Sequence, residues 1–225
     1  MKKNVSFFAC FLLLCGCAHA GVVVGGTRII YDGDKKESSI SIENPDASPY
    51  LIQSWIEDEA GNHQTGYFVI TPPLFRLDGK QKNTIRIIQT NAPLTAIRES
   101  LFWLNIKAIP AADPSGSANT LQLAINTRIK LIYRPGALKG IAPDSVSNRL
   151  EWSRAENSLT VFNPTPYYIN FNSLYAGGNP VEKVTYVAPL ASAHFTLPQG
   201  ARSNLIEWKV ISDYGAIGAV HKASF

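Results

Sequence analysis

Side chains that could carry out chemistry are few in this chain, and their spacing assembles no reactive site. All three cysteines lie before residue 18, and the histidines beyond residue 20 are His63, His194 and His221, which are far apart. No Gly-x-Ser-x-Gly turn, phosphate-binding glycine loop or Cys-x-x-Cys pair occurs. We therefore expect a protein that is not an enzyme and that needs no cofactor and no metal.

The first 20 residues have the pattern of a secretory signal peptide. Two lysines precede an apolar stretch from Phe7 to Leu14, and Ala18-His19-Ala20 supplies the small residues of a cleavage site. The stretch is shorter than the roughly 20 residues that cross a bilayer, which argues against a transmembrane anchor. Lipid attachment within Leu14 to Cys17 is a weaker alternative. Cleavage after Ala20 would remove every cysteine, so the mature chain would hold no disulfide.

Composition indicates a globular protein with little net charge. The 225 residues are 45% hydrophobic and 17% charged, which fits one large or two small domains. The formal net charge of +4 falls to +2, with 19 basic and 17 acidic residues, once Lys2 and Lys3 leave with the signal peptide. Because no dense basic run occurs, we exclude a nucleic-acid partner.

The segment from Leu121 to Tyr133 alternates apolar and polar residues and predicts one unusually long strand. Its polar face would carry Gln122, Asn126, Arg128 and Lys130. A long strand at a sheet edge exposes amides and carbonyls with which another chain can pair. The face opposite the polar one would carry Leu121, Leu123, Ile125, Thr127 and Ile129.

Alternating runs bounded by Gly, Pro, Asn and Asp recur along the mature chain. No segment has a sustained helical period with caps at both ends. The pattern predicts an all-β protein built as a β-sandwich. The strands predicted before the long one are Thr27–Tyr31, Ser38–Glu43, Tyr50–Glu57, Gly66–Ile70, Thr84–Gln89 and Leu101–Ile109.

One turn motif occurs twice and suggests two sandwiches. The segment that begins at Asn163-Pro164 repeats the pattern that begins at Asn44-Pro45, 119 residues earlier, which is about the length of one sandwich. The segment Pro135 to Pro143 has neither the period of a strand nor that of a helix, so we place the boundary between the two domains near Gly140. The alternative is that Asn-Pro turns recur by chance in a β-rich chain. The expected domains are residues 21–139 and 140–225.

Five stretches form a series of motifs in order along the mature chain. They are Thr71–Leu77, Leu94–Pro110, Arg128–Pro135, Asn163–Tyr168 and Ile211–Ala216. Together they resemble the motifs of the periplasmic chaperones of the chaperone–usher pilus pathway, the PapD-like family. The stretch Leu94 to Pro110 is similar to a signature of this family, with Arg98-Glu99-Ser100 intact and Ile97 where the family generally has Asp.

The resemblance implies two immunoglobulin-like β-sandwich domains in an L or boomerang arrangement and a role in pilus assembly in the periplasm. In this family the last strand of the first domain, here called the donor strand, is lent to a pilus subunit that lacks one strand. The subunit then passes to an outer-membrane usher. The residues of the long strand's apolar face would fill the subunit's groove; in an ordinary sandwich they would face their own core.

The resemblance also implies roles for five charged residues. Arg28 and Lys130 would anchor the C-terminal carboxylate of the subunit, and Glu99, Arg134 and Asp213 would form a charged cluster that holds the two domains at their working angle. Local sequence alone equally permits Arg28 or Lys130 to be an ordinary solvated charge.

Three points stay open at this level. The short loop from Ala111 to Asn119 resembles the family branch that serves rod-forming pili, and the free protein could cover its exposed strand by self-association. Whether Pro72-Pro73 contains a cis bond is undecided. The alternative function is a secreted tandem-sandwich structural or adhesin-like surface protein, which would complete its own strands and need no buried pair of cations.

Overall fold

The computed structural model describes residues 21–63, 66–111, 121–201 and 203–224. The predicted signal peptide with its cysteines and residues 112–120 of the loop before the long strand lie outside these ranges. Within them the chain is nearly all β, with one short helix, α1 (Pro143–Val146), and 3-10 turns at Gly136–Leu138 and Ser147–Arg149. The prediction of an all-β protein is confirmed.

The first half of the chain forms two facing sheets. One sheet has the strand order β1-β3-β7-β5 and the other the order β2-β9-β8-β4-β6. The strands are β1 (Val23–Val24), β2 (Arg28–Asp32), β3 (Glu37–Glu43), β4 (Tyr50–Asp58), β5 (Phe68–Thr71), β6 (Leu74–Leu77), β7 (Lys82–Gln89), β8 (Ser100–Pro110) and β9 (Ile125–Arg134).

The core between these sheets follows from the period of two along each strand. Ile42 of β3, Ile85 of β7 and Leu104 of β8 are fully buried in one cluster, and the neighbours Thr84 and Arg86 of β7 point to solvent. Each buried aliphatic side chain contributes about 1.5–3 kcal/mol. The first sandwich therefore holds its sheets together by packing, without a cross-link.

The second half forms another sandwich with its own core, which includes Val161, Ile169 and Trp208. Its sheets have the orders β10-β11-β15 and β13-β12-β16-β17, and β14 also pairs with β12. The strands are β10 (Glu151–Ala155), β11 (Ser158–Asn163), β12 (Ile169–Ala176), β13 (Asn179–Pro180), β14 (Tyr186–Val187), β15 (Ala191–Thr196), β16 (Leu205–Ile211) and β17 (Ile217–Ser224).

The long strand is shorter than the sequence predicted. Regular pairing with β8 begins where Ile125 lies opposite Ala108, so residues 121–124 lie outside β9. The partner strand ends at Pro110, which has no amide hydrogen to extend the ladder. The prediction that the strand starts at Leu121 is therefore wrong, although its continuation to Tyr133 is confirmed.

Two further sequence questions have structural answers. The cis peptide bond is the one between Thr71 and Pro72. Ile97, at the position where the family generally has Asp, is 72% exposed, and β8 begins at Ser100, one residue before the predicted start. The unusual residue thus leaves the beginning of β8 in place.

Candidate functional site

One end of β9 has a free edge. From Lys130 onward β9 lies between β8 and β2, because Arg28 of β2 pairs with Lys130 in parallel register. Between Ile125 and Ile129 it pairs with β8 alone, and no other strand of the described residues lies on its second side. The backbone groups on that side can accept a further strand.

Exposed apolar side chains lie at and just before this edge. Leu121 is 82% exposed, Leu123 67% and Ile125 54%, and Thr127 is half-buried. A pocket at the end of the first sandwich is bordered by Leu123, Ile125 and Thr127, together with Val22, Val24, Tyr50 and Ile106. The chain therefore presents an apolar strip beside unpaired backbone, which is costly in water.

Ile129 does not belong to this exposed strip, although the sequence placed it with the donor residues. It is 6% exposed and packs in the core of the first sandwich with Leu131 and Tyr133, which follow it on the same face. The face changes from exposed to buried at this point because the strand runs from the open end of the sandwich into its interior. In the free protein Ile129 is therefore a core residue, and it is not exposed to a partner.

Arg28 and Lys130, which we call the anchor pair, lie side by side where the free edge ends. The Nε atom of Arg28 is buried and has no hydrogen-bond partner among the described residues. Burial lowers the pKa of the Arg28 guanidinium, and the charge of Asp213 opposes this effect. Burial and the neighbouring Arg28 charge lower the pKa of Lys130 to about 8, against the opposing charge of Glu59.

Lys130 also contacts the second sandwich. Its Nζ donates a hydrogen bond to Oδ1 of Asn170 and lies 4.4 Å from the centre of the Tyr186 ring. The Tyr186 hydroxyl donates to Oε1 of Glu59 at 2.6 Å, and the Tyr168 hydroxyl donates to Oε2 of Glu59 at 3.3 Å. The anchor pair thus lies between the two sandwiches.

A negatively charged group suits this arrangement. Two partly desolvated cations in adjacent positions repel each other, and an anion between them would relieve that repulsion. A carboxylate can accept hydrogen bonds from both, and each such charge-assisted bond is worth about 1.5–3 kcal/mol.

The second group of charged residues forms one contiguous cluster. Nε of Arg134 lies 2.6 Å from Oε1 of Glu99, and its two terminal nitrogens lie 2.7 and 2.9 Å from the oxygens of Asp213. The other oxygen of Glu99 accepts from the backbone amide of Tyr168 at 2.7 Å. Because Glu99 and Arg134 belong to the first half of the chain and Asp213 to the second, the cluster connects the two sandwiches.

The pKa values in the cluster reflect burial against ion pairing. Burial raises the pKa of the Glu99 carboxyl, although Arg134 and the Tyr168 amide act in the opposite direction. Burial opposes the charge of Arg134, but the carboxylates of Asp213 and Glu99 hold its pKa above the usual range. The guanidinium of Arg134 is therefore compensated by two carboxylates, and the backbone amide of Tyr168 also donates to Glu99.

Sequence reasoning missed Glu59, Asn170, Tyr168 and Tyr186 as neighbours of the anchor pair. The turn after β4 and strands β12 and β14 are distant in sequence, and no local pattern marks a polar side chain that will face a cleft. The described residues contain no group of three or more His, Cys, Asp or Glu that could hold a metal ion. No helix among them is long and apolar enough to cross a membrane.

Comparisons with known proteins match both halves of the chain. Residues 21–139 match the family model described as pili and flagellar-assembly chaperone, PapD N-terminal domain. Residues 145–222 match the model described as pili assembly chaperone PapD, C-terminal domain. The chaperone protein FimC of Escherichia coli K12 is 46% identical over 209 residues, which cover 92% of this chain and 85% of that protein.

Other relatives and solved structures agree. The chaperone protein LpfB of Salmonella typhimurium is 42% identical over 88% of this chain and 86% of its own length. A chain in the structure of the Salmonella enterica SafA pilin in complex with the SafB chaperone is 35% identical, with a TM-score of 0.84, over 93% of this chain and 99% of that chain. The periplasmic chaperone SfaE is 44% identical, with a TM-score of 0.78, over 91% of this chain and 100% of that one.

Proposed function

Because this chain belongs to the PapD family of pilus-assembly chaperones, we propose that it binds pilus subunits in the periplasm by lending them the free edge of β9. The family is one of chaperones and not of enzymes. A relative in this family is seen with a pilin, and another is called periplasmic. These names support a pilus subunit as the partner and the periplasm as the location.

The observation that carries the proposal is the continuity of one exposed strip with the anchor pair. Leu121, Leu123 and Ile125 are exposed beside unpaired backbone, and the same segment leads to Lys130. From Leu121 to Lys130 an extended chain spans roughly 30 Å. A subunit that lacks one strand could pair along this edge, bury its open groove on the three side chains and place its C-terminal carboxylate at Arg28 and Lys130.

The anchor gives the pairing its register. A slip of one residue would turn every side chain of the added strand to the opposite face. A fixed carboxylate position prevents such a slip, whereas main-chain hydrogen bonds alone do not. In this proposal the strip supplies most of the buried apolar area, and the two cations decide where the added strand begins.

The domain organisation belongs to the same proposal. We assign residues 21–139 to the subunit-binding domain and 140–225 to the second domain, with Glu99, Arg134 and Asp213 holding them in a fixed relation. Delivery of the bound subunit to an outer-membrane usher would complete the role. Since the free energy comes from folding the subunit onto the donor strand, neither nucleotide nor metal should be required.

The test is co-expression with pilus-type subunits from the same genome, followed by purification of a one-to-one complex from the periplasm. We expect the wild type to yield a complex and Lys130→Ala to yield none while remaining folded. Lys209→Ala, a partly exposed strand lysine of the second sandwich, is the matched control. Stable protein without a partner in every case would contradict the proposal.

A further inference from the structure

The charged residues between the two sandwiches are held in two different ways. Arg134 is held by the carboxylates of Glu99 and Asp213, which neutralise it. Lys130 is held by the amide oxygen of Asn170 and the ring of Tyr186, which carry no charge. Among the described residues neither Arg28 nor Lys130 has a carboxylate within salt-bridge distance.

Asn170 is placed to make this contact. Its neighbours Ile169 and Phe171 are buried in the core of the second sandwich, so alternation along β12 turns Asn170 away from that core. Its side chain is nevertheless only 4% exposed, because it faces Lys130 across the gap between the sandwiches. A buried amide is costly unless it is hydrogen-bonded, and the lysine ammonium satisfies its oxygen.

Tyr186 contacts the same ammonium through its aromatic ring. It pairs directly with Asn170 in the antiparallel register of β12 and β14, so the two side chains reach the cleft together. Its hydroxyl is held by Glu59, which is also bonded to Tyr168, and this leaves the ring face toward Lys130. The negative face of an aromatic ring attracts an ammonium without neutralising it.

We propose that Asn170 and Tyr186 are positioning residues for the anchor lysine, which hold the Lys130 ammonium in place while leaving its charge available to a carboxylate ligand. The ammonium has three hydrogen-bond donors, and Asn170 uses one of them. Together with Arg28 the site keeps two positive charges that no carboxylate of the described residues contacts directly, while Asp213 and Glu59 act on them only at longer range. This inference rests on the proposed function, because it names the residues of the second domain that prepare the anchor for the subunit carboxylate.

Replacement of Asn170 separates positioning from a purely structural role. Asn170→Ala removes the neutral acceptor, so the pKa of Lys130 should fall below about 8. Asn170→Asp keeps an acceptor but adds a negative charge, so the same pKa should rise. Loss of fold would not move the pKa in opposite directions. The measurement is the pH titration of the Lys130 side-chain carbon signal by NMR, in the free mature chain with labelled lysine.

Capture of the subunit should weaken in both variants. We expect Asn170→Ala and Asn170→Asp each to bind the subunit purified with the wild type about tenfold more weakly, the first through a misplaced ammonium and the second through a neutralised one. In a Lys130→Ala background, whose residual binding is measured by titration at high subunit concentration, the same changes should add nothing. Asn172→Ala and Asn172→Asp, at an exposed position on the same strand, are matched controls and should behave as the wild type.

Three results would overturn the inference: an unchanged Lys130 pKa in both variants, a shift in the same direction in both, or equal losses of capture with and without Lys130. Tyr186→Phe retains the ring and should change capture little, whereas Tyr186→Leu should weaken it; the reverse order would also count against the assignment. If the wild type captures no subunit although both pKa shifts occur as expected, the proposed function fails and the positioning of Lys130 stands.

Discussion

Lys130 lies directly opposite Arg28 in the parallel register of β9 and β2, so that two partly buried positive charges occupy adjacent positions between the sandwiches. In the free protein each charge makes the other less stable, which is the reverse of an ordinary salt bridge. A bound anion would reduce this repulsion, so the arrangement favours anion binding. Such a site resembles a binding site more than a structural contact, and its energetics can be tested by pH.

Subunit binding should weaken as the pH rises above about 8. In the free protein Lys130 loses its proton with a pKa of about 8, and a bound carboxylate would raise that pKa. Above pH 8 the complex must therefore take up a proton, and affinity should fall by up to about tenfold per pH unit. The measurement is the dissociation constant between pH 6 and 10. Lys130→Arg, which stays charged over this range, should bind the subunit with an affinity that does not depend on pH. An unchanged affinity of the wild type up to pH 9.5 would argue against a lysine anchor.

Leu123→Glu should abolish capture without unfolding the free protein. Leu123 is 67% exposed and lies outside β9, so the free energy of unfolding should change by no more than about 0.5 kcal/mol. In the complex the glutamate would enter an apolar groove, where an unpaired charge is costly. Urea denaturation and co-purification test the two halves of this prediction. Val220→Glu, 50% exposed on β17, is the control and should still capture subunits.

A marked loss of stability in free Leu123→Glu would mean that this side chain belongs to its own core, and the donor role would then have to be given up.

Ile125 and Ile129 share one face of β9 but should respond differently to truncation. Ile129→Ala removes a side chain that is 6% exposed and should lower the free energy of unfolding by about 2–5 kcal/mol. Ile125→Ala removes one that is 54% exposed and should cost the free protein little while weakening capture. Denaturant titration of the two variants locates the point at which the strand enters the core. Equal losses of stability would show that the exposed strip begins before Ile125.

The sequence predicted most strands because a period of two in apolar residues is a local signal. The resemblance to the family also implied that Arg28 lies with Lys130 and that Glu99, Arg134 and Asp213 form a cluster, and both groups come together in the structure. The start of β9 depends instead on how far its pairing with β8 extends, and the burial of Ile129 depends on how deep the strand lies in the sandwich. Neither quantity is encoded locally.

The neighbours of the anchor lysine could not be predicted for the same reason. Lys130 and Asn170 are 40 positions apart, and Glu59 and Tyr186 are 127 positions apart. Their meeting depends on the placement of one sandwich against the other. An isolated Asn that is turned away from the core of its own domain toward the other domain has no pattern that distinguishes it from a solvated Asn.

Arg134→Met should be strongly destabilising, and its effect should depend on pH. The change leaves the 2% exposed Glu99 without its cation, and breaking a buried pair at one member costs about 3–5 kcal/mol.

The pH dependence of this loss follows from the pKa of Glu99. Burial already raises the pKa of Glu99, and without Arg134 that rise is less opposed. A carboxyl whose pKa is higher in the folded than in the unfolded state lowers stability as the pH rises through that folded value. The loss in free energy of unfolding of Arg134→Met, relative to the wild type, should therefore be smaller at pH 5 than at pH 8. Urea denaturation at both pH values measures it. Arg76→Met, which breaks the exposed pair with Asp78, should cost no more than about 1 kcal/mol. The double variant Glu99→Gln with Arg134→Met should recover part of the loss and lose part of the pH dependence, because the buried charge of Glu99 is then absent and only the partly exposed Asp213 lacks its partner. If the single variant loses the same stability at both pH values, Glu99 is not the group left uncompensated.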